Sequence, residues 1–375
     1  MKLNPLTFMA RIHYYISMRV GLDISQAVKR RGRGIARYIR QVVPALAALP
    51  LDGRLEIRAH RWTRRALVAD LAPDWPRHCL LLNRAGRELD LFHGFGNHLP
   101  GRGRVPLSFT VHDVRALDQP AGYEGRERLI RNLGRADGVL CLTQYGRDRL
   151  LHHHPELADR HVAVVPHGVD HGVFNPRPVD EAQATTRRYG LDAPYLLQLG
   201  SWFPHKNLEL SIRAFAASRA RGAGLRLAFV GGGAPDAYLA RLRELAATLG
   251  VGNDIHWVEH VPGPDLPGLL SASRALLQPS RYEGFALPIL EAMACGTPGV
   301  VSDSSCLPEV SGGCWPVAGQ DDPEAFAAAM DHVALDGQAR DQAISDGLAH
   351  AAHYTWARCA SETAAFFRDT LTRAR

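Results

Sequence analysis

Two carboxylates lie eight positions apart, at Glu283 and Glu291, in a stretch that also contains Phe285 and Pro288. The apolar run 275–278 before them predicts a buried strand, and Pro288 is typical of the first turn of a helix. A turn between a buried strand and a helix lies at the carboxyl edge of a parallel sheet, where α/β proteins bind ligands. We therefore expect Glu283 on this loop and Glu291 within the first helical turn.

The start of this predicted helix also offers an anion site. The backbone N–H groups of Leu287 and of the residues after Pro288 have no acceptor within the helix, so they can bind a phosphate. The two carboxylates supply acceptors for hydroxyl groups. A phosphate site beside two hydroxyl acceptors suits a sugar nucleotide.

A cation is predicted at the end of another strand, in the segment 200–207. Lys206 stands there at the predicted start of a helix, where a positive charge opposes the helix dipole. A bound anion would remove this conflict. This favours a phosphate-binding role for Lys206 over that of an ordinary surface lysine.

A second set of candidate groups lies near the start of the chain. Arg33, Gly34 and Arg37 follow the first predicted strand and open the first predicted helix. A glycine in such a turn lets backbone N–H groups approach a phosphate, although an ordinary β–α turn has the same features. Six basic residues and no acidic one lie between 29 and 40. They would neutralise an anionic ligand or form a solvated face.

Two histidines end neighbouring predicted strands, His93 and His112. A histidine at the carboxyl edge of a sheet can donate or accept a proton near neutral pH. We expect His112 at the ligand site and His93 along the same cleft, with a structural role as the alternative for each. The neighbouring Asp113 is expected to orient the loop or to cap a helix.

Metal, disulfide and dinucleotide chemistry have little support in this chain. Its six cysteines include no C-x-x-C pair, and no D-x-D triplet occurs. Glycines 231–233 follow a predicted strand, but Asp236 stands where the G-x-G-x-x-G motif requires glycine. The three histidines 152–154 lack the i, i+4 spacing of metal ligands on a helix. We expect neither a metal nor a cofactor.

Length and composition describe a two-domain protein of ordinary polarity. The chain has 375 residues, of which 46% are hydrophobic and 22% are charged, and a formal net charge of +6. This charge is compatible with nucleic acid, an anionic membrane surface or phosphorylated substrates. No apolar run reaches the roughly 18–20 residues that span a bilayer, and residues 1–17 lack signal-peptide features. We expect a cytoplasmic protein with reduced cysteines, in which 1–17 form an upstream extension or a helix lying on the membrane surface.

Short apolar runs alternate with amphipathic helical patterns, which predicts parallel sheets covered by helices on both faces. The predicted strands are 19–24, 55–59, 89–92, 107–111, 139–142, 162–165, 195–199, 225–230, 255–258, 275–278, 299–302 and 315–317. The predicted helices include 35–48, 208–219, 237–249, 323–333 and 355–371. A proline-containing polar stretch, 173–193, is the predicted linker. The expected domains are 18–180 with 355–375, and 190–354.

Taken together, these motifs resemble those of the retaining GT-B glycosyltransferases of family 4, from residue 18 to about 354. The most specific match is the E-x7-E motif formed by Glu283 and Glu291. The supporting matches are 34–38, 111–113, 165–170, 204–207 and 307–310. The pairing of 34–38 with 204–207 is similar to that of mannosyltransferases for bacterial surface polysaccharides.

The resemblance implies two Rossmann-like doubly wound domains facing across a cleft, the first for the acceptor and the second for the nucleotide sugar. It implies that Glu283 and His112 act at the transferred sugar and that Glu291 binds the ribose. The remaining donor-binding residues would be Lys206, Gly34, Ser201, Phe285, Ala286 and Leu287. Arg33, Arg37 and His93 would lie on the acceptor or phosphate side.

The implied reaction moves a hexose from a nucleoside diphosphate, with GDP-mannose favoured, to a glycan or a lipid-linked acceptor. It retains the anomeric configuration and needs no metal. Peripheral contact with the inner membrane surface would follow from a lipid-linked acceptor. Nucleic acid is not an expected partner.

Two departures from the family pattern and three alternatives stay open. Ser201 stands where many relatives carry Arg, and Arg33, Arg37 or His205 would have to replace that cation. Ala36 stands where relatives often have Gly. The alternatives are a non-catalytic sugar-nucleotide or glycan-binding protein, a nucleotide-sugar epimerase on the same fold, and nucleic-acid binding through 29–40.

Overall fold

The computed structural model describes most of the chain. The described residues are 18–28, 33–49, 54–58, 80–81, 89–96, 99, 105–119 and 125–374. The expectations for residues 1–17 and for the basic residues 29–31 therefore lie outside the described residues. Within these ranges, no helix is both long and apolar enough to cross a membrane.

The chain divides into two compact units. The N-terminal unit comprises Met1–Leu142, Arg149–Val165 and Trp356–Arg375, and the C-terminal unit comprises Thr143–Asp148 and Pro166–Thr355. The main division thus follows residue 165, before the predicted linker 173–193. That stretch contains a helix, Val179–Arg187, which packs on the helix Leu266–Ala272 of the C-terminal unit. This contact attaches the helix to the C-terminal unit.

The N-terminal unit is built on a parallel sheet of seven strands in the order β3-β2-β1-β4-β5-β6-β7. Its strands are β1 (Arg19–Asp23), β2 (Arg54–Arg58), β3 (Leu80–Leu81), β4 (Leu91–Gly94), β5 (Leu107–Val111), β6 (Gly138–Cys141) and β7 (His161–Val164). Strands β4, β5 and β6 are buried along their whole length. Continuous burial is typical of a parallel sheet with helices on both faces.

Among the described residues, five helices lie wholly or partly in this unit. They are α1 (Arg33–Ala47), α2 (Arg115–Asp118), α3 (Arg126–Leu133), α4 (Gln144–His153) and the last helix of the chain, α13 (Trp356–Ala374). Helix α13 packs on α1, where the Trp356 and Tyr38 rings lie 6.1 Å apart. It also packs closely on β6, because a Cβ at Gly138 would lie 2.5 Å from the Thr370 hydroxyl. The amphipathic pattern of α13 thus covers this unit.

The C-terminal unit has a parallel sheet of six strands in the order β10-β9-β8-β11-β12-β13. Its strands are β8 (Tyr195–Ser201), β9 (Arg226–Gly232), β10 (Ile255–Val258), β11 (Ala275–Gln278), β12 (Gly299–Ser302) and β13 (Val317–Ala318). Its helices are α5 (Val179–Arg187), α6 (Leu208–Ala217), α7 (Asp236–Thr248), α8 (Leu266–Ala272), α9 (Leu287–Ala294), α10 (Leu307–Ser311), α11 (Pro323–Leu335) and α12 (Gly337–Ala352). The predicted α/β class is confirmed in both units.

The strand order of the C-terminal unit identifies where a ligand would bind to it. In the C-terminal unit the chain passes from β8 to β9 and β10 on one side, and returns to β11 on the other. The crevice at the carboxyl ends of β8 and β11 is therefore a topological switch point, the usual ligand site of open α/β sheets. Lys206 follows β8, and Glu283 follows β11.

Candidate active site

Glu283 lies on the loop between β11 and α9, and three donors meet one of its carboxylate oxygens. Oε1 accepts hydrogen bonds from Lys206 Nζ at 2.5 Å, Ser280 Oγ at 2.7 Å and Gln278 Nε2 at 2.8 Å. The Lys206 and Glu283 side chains are 16% and 11% exposed. Among the described residues, these bonds leave Oε2 as the carboxylate oxygen open to a ligand hydroxyl.

The ion pair corrects one part of the sequence argument. Lys206 ends a short 3-10 helix, Pro204–Lys206, just before α6. An anion was expected to bind there from solution, but the carboxylate of Glu283 already supplies the negative charge. A donor diphosphate would therefore have to share or displace this contact.

The residue after Lys206 fixes its position. Asn207 is buried, and its side-chain amide donates to the carbonyl oxygens of Pro279 at 3.1 Å and Gln320 at 2.8 Å. The carbonyl oxygen of Lys206 accepts a bond from Gln198 Nε2 at 2.8 Å. The lysine thus stands on a backbone that is tied to the ends of two other strands.

The start of α9 has the geometry of an anion site. Ala286 precedes the helix in the left-handed conformation, with φ 63° and ψ 58°, and Pro288 occupies the first turn. Leu287 is the first helical residue, so its N–H group is one of the donors without an acceptor inside the helix. The side chain of Phe285 is buried, with its ring 4.8 Å from that of His167. Residues 285–287 thus offer backbone rather than side chains to a ligand.

Glu291 does not lie where the sequence placed it. Helix α9 begins at Leu287, which makes Glu291 its fifth residue, and the first turn contains no acidic residue. The side chain of Glu291 is buried, at 2% exposure. The prediction was wrong by one residue, because the helix begins at Leu287 and its first turn ends at Leu290; sequence signals place helix ends only to within a few residues.

Three non-glycine residues have positive φ among the described residues, and all three lie at the carboxyl edge of the C-terminal sheet. They are Asn207, Ala286 and Ser305, with φ of 53°, 63° and 51°. This conformation costs about 1 kcal/mol or more for an ordinary side chain, and such strain is concentrated at functional sites. The observed backbone thus points to the same edge as the charged side chains.

Ser201 is the last residue of β8 and is half-buried, opposite Gly232 of β9. Here the strands approach so closely that a Cβ at Gly231 would lie 2.6 Å from the carbonyl carbon of Gly200. Ser201 has no positive charge, and Lys206, which pairs with Glu283, lies at this edge.

In the N-terminal unit, His112 follows β5 with its ring held by the main chain. Its Nε2 donates to the carbonyl oxygen of Phe95 at 2.6 Å, and its ring lies edge-on to Tyr38 at 5.5 Å. Burial lowers the pKa of His112 to about 4, and the bond to Phe95 offsets only part of this shift. His112 is therefore neutral at pH 7, with its proton on Nε2.

His93 lies in the core and not along a ligand cleft, so that expectation was wrong. Its side chain is 0% exposed, and its ring nitrogens lie 2.9 Å from Ser108 Oγ and 3.0 Å from Thr110 Oγ1. Burial lowers the pKa of His93 to about 3. Because β4 is buried on both faces, its side chains point into packed layers.

The basic turn is only partly described. Gly34 is the second residue of α1 and is exposed, and a Cβ there would meet no atom of the described residues within 4 Å. Packing therefore does not require this glycine, and the space beside it is open to a ligand. Arg37 is half-buried, while the side chain of Arg33 lies outside the described residues.

Nucleophilic and metal chemistry gain no support from the described residues. Burial raises the pKa of the Cys306 thiol well above its ordinary value and that of Cys295 to about 12. Buried neutral thiols are poor nucleophiles. No group of His, Cys, Asp and Glu side chains in the described ranges could hold a metal ion.

Sequence reasoning missed the side chains that hold Glu283. Gln278 and Ser280 bind its carboxylate, and Ser305 Oγ accepts its N–H at 3.0 Å. Polar residues directly after a buried strand were the available signal for the first two. No sequence signal connects Ser305 to a residue 22 positions earlier.

Family models and relatives agree with this architecture. The model for glycosyl transferases group 1 matches residues 183–349, and that for glycosyltransferase family 4 matches 32–173. The O-antigen chain mannosyltransferase B of Escherichia coli is 30% identical over 285 residues, covering 73% of this chain and 72% of the relative. The chain belongs to the family 4 glycosyltransferases. This confirms the resemblance found in its motifs.

This glycosyltransferase is also similar to a second relative in sequence and to a solved structure in fold. A D-inositol 3-phosphate glycosyltransferase of Acidothermus cellulolyticus is 31% identical over 292 residues, covering 73% of this chain and 64% of the relative. The structure of Anabaena HepE in complex with UDP-glucose has a TM-score of 0.73 at 16% identity, covering 94% of this chain and 100% of that one. At this identity the match establishes the fold alone, which is GT-B.

Proposed function

We propose that this glycosyltransferase moves a hexose from a nucleoside diphosphate to a glycan or lipid-linked acceptor, with retention of configuration and without a metal. GDP-mannose is the favoured donor, because the family motifs resemble those of polysaccharide mannosyltransferases and a relative named for O-antigen mannosyl transfer covers most of the chain. The product would belong to a surface polysaccharide.

The observation that carries the proposal is the convergence of Lys206 and Glu283 at the switch point of the C-terminal sheet. Glu283 has three donors on Oε1, which fix the carboxylate and turn Oε2 toward a substrate hydroxyl. In this role the carboxylate binds the transferred sugar. Glu291 is assigned to the ribose hydroxyls, one turn further along α9.

The diphosphate is the group whose charge increases as the sugar leaves. Lys206 and the N–H groups at the start of α9 are placed to stabilise that charge, since fixed donors in a protected site are more effective than water. Ser201 and the main chain of residues 285–287 complete this side of the donor site. This set of donors does in the proposal what a metal ion does elsewhere.

His112 contributes as a neutral group. With its proton on Nε2 and its pKa at about 4, it is a hydrogen-bonding group for the sugar rather than a general base at pH 7. In the proposed reaction, the proton of the acceptor hydroxyl passes to the leaving diphosphate on the same face of the sugar. Gly34 and Arg37 are assigned to the phosphate or acceptor side.

The first test is a thermal-shift screen with GDP-mannose, UDP-glucose, ADP-glucose and dTDP-glucose, since a ligand that binds the folded state raises the unfolding temperature. We expect GDP-mannose to give the largest shift. A larger shift with another donor would reassign the base, and no shift with any of them would refute the donor site.

The second test is turnover of the best donor with and without membrane-extracted glycan acceptors, for the wild type, Glu283→Gln and the control Glu244→Gln. Glu244 is exposed on α7, which makes it a matched substitution outside the site. We expect acceptor-dependent nucleotide release that only Glu283→Gln abolishes. Conversion of the donor without acceptor would indicate an epimerase, and binding without turnover would indicate a non-catalytic protein.

A further inference from the structure

Two groups of side chains hold Glu283 from different directions. The first group binds the carboxylate: Ser280 Oγ donates to Oε1 at 2.7 Å, and Gln278 Nε2 lies 2.8 Å from the same oxygen and 3.0 Å from Ser280 Oγ. Ser280 is 0% exposed and Gln278 is buried. Both side chains bind the carboxylate of Glu283, so we assign their effect on the substrate to the position of that carboxylate.

The second group, residues 304–306, holds the main chain of the loop. Ser304 Oγ donates to the carbonyl oxygen of Arg281 at 2.5 Å, and Ser305 Oγ accepts the N–H of Glu283 at 3.0 Å. Cys306 Sγ donates to the carbonyl oxygen of Glu283 at 3.4 Å. Three consecutive residues after β12 thus bind two residues after β11, Arg281 once and Glu283 twice.

The backbone at Ser305 indicates what this contact is for. Its φ of 51° is in the left-handed region, which is unfavourable for a residue other than glycine or asparagine. Glycine would remove that cost but would also remove the hydroxyl that accepts the Glu283 N–H. The strain is offset by a bond to the residue that we assign to the transferred sugar.

We propose that Ser280 and Ser305 are positioning residues for sugar transfer. Ser280 holds the Glu283 carboxylate in its orientation, and Ser305 holds the main chain of Glu283 in place. The inference rests on the proposed role of Glu283 at the transferred sugar. When either hydroxyl is lost, the Glu283 carboxylate keeps its contact with Lys206 but no longer faces the sugar hydroxyl. The nucleotide part of the site, with Lys206 and the start of α9, stays as it is.

The positioning role should affect sugar transfer but not nucleotide binding, whereas a loss of folding would affect both. In Ser280→Ala, kcat/KM for GDP-mannose should fall about 10- to 100-fold, mostly in kcat, because a misplaced group weakens transition-state contacts. The dissociation constant of GDP, which lacks the transferred mannose, should stay within about twofold of the wild-type value. A structural defect would weaken both.

Ser273→Ala is the matched control. Ser273 is also buried, and its hydroxyl donates to the carbonyl oxygen of Leu270 at 2.8 Å. It precedes β11, whereas Ser280 follows the other end of the same strand. We expect kcat/KM within about twofold of wild type for this variant, so that an equal loss in both serine variants would overturn the positioning role of Ser280.

Ser305 is tested by a pair of variants that both tolerate the left-handed backbone. Ser305→Gly removes the acceptor and should lower kcat/KM about 10-fold. Ser305→Asn restores an oxygen that can accept the Glu283 N–H, and it should recover most of that loss. Equal rates for the two variants would show that the hydroxyl has no positioning role.

A crystal structure of Ser280→Ala separates failure of this inference from failure of the proposed function. We expect Glu283 to adopt a different rotamer that keeps the contact with Lys206 Nζ but turns Oε2 away from its wild-type direction. An unchanged carboxylate would overturn the inference whatever the substrate proves to be. Absence of turnover by the wild type with all four donors would refute the proposed function, while the crystallographic result still decides the inference.

Discussion

The contact between Lys206 and Glu283 predicts a measurable coupling energy. Unit charges 2.5 Å apart attract by about 7 kcal/mol at an effective dielectric constant of 20, but desolvation cancels most of this for a pair that is mostly buried. If Lys206 becomes methionine, Gln278 and Ser280 still bind the Glu283 carboxylate. We therefore expect Lys206→Met to cost about 1–3 kcal/mol of unfolding free energy, below the 3–5 kcal/mol for an unsupported buried charge.

A double-mutant cycle isolates the pair. Urea unfolding of the wild type, Lys206→Met, Glu283→Gln and the double variant at pH 7 should give a coupling of about 1–2 kcal/mol. The effect belongs to the transition of the C-terminal unit, where both residues lie. The coupling should change little between 0.05 and 0.5 M salt, because buried pairs are weakly screened. A coupling below about 0.3 kcal/mol would refute the view that Glu283 neutralises Lys206.

Three further predictions follow from the packing. Gly231→Ala should lower the free energy of unfolding, measured by thermal unfolding, by about 3 kcal/mol or more, because the new Cβ overlaps the Gly200 carbonyl. A decrease under about 1 kcal/mol would contradict that geometry. His93 has a folded-state pKa of about 3 against 6.5 unfolded, so its contribution to stability is complete above pH 6.5 and falls below it, by about 2 kcal/mol at pH 5. His112, whose pKa is lowered to about 4, loses a similar amount over this range. His93→Gln should therefore remove about half of the slope of stability against pH in urea unfolding, and an unchanged slope would exclude His93 as one of its sources. Asp331→Ala should lower the free energy of unfolding by about 2–3 kcal/mol in the same assay, because the carboxylate accepts the N–H of Ala220 at 3.1 Å in a buried site. An unchanged free energy would mean that water replaces the carboxylate as the acceptor of this N–H.

The sequence predicted the fold because the parallel sheets leave a strong signal. Continuous apolar runs such as 107–111 and 275–278 match β5 and β11, and the amphipathic pattern at the end of the chain matches α13. The two-residue strands Leu80–Leu81 and Val317–Ala318 are too short to show a period, and the pattern placed the second of them two residues early. Helix α5 was missed because the prolines before it were interpreted as the sign of a linker.

The sequence pointed to the loop that carries Glu283 and to Lys206, but not to the contacts between them. The spacing of Glu283 and Glu291 identified the loop and helix, and the macrodipole argument identified Lys206 as a cation that needs an anion. That the anion is Glu283 depends on β8 and β11 being neighbours in the sheet, which is a tertiary fact. The burial of His93 has the same origin, since β4 lies in the middle of its sheet.

The central claim is that Glu283 acts at a sugar transferred with retention of configuration from a nucleotide sugar. The most direct measurement is carbon-13 NMR of GDP-mannose labelled at the anomeric carbon, incubated with extracted acceptor and either wild type or Glu283→Gln. We expect the label to move into a glycoside of unchanged α configuration with the wild type, and at less than about 1% of that rate with the variant. A β-linked product, or comparable rates for the two proteins, would contradict the account.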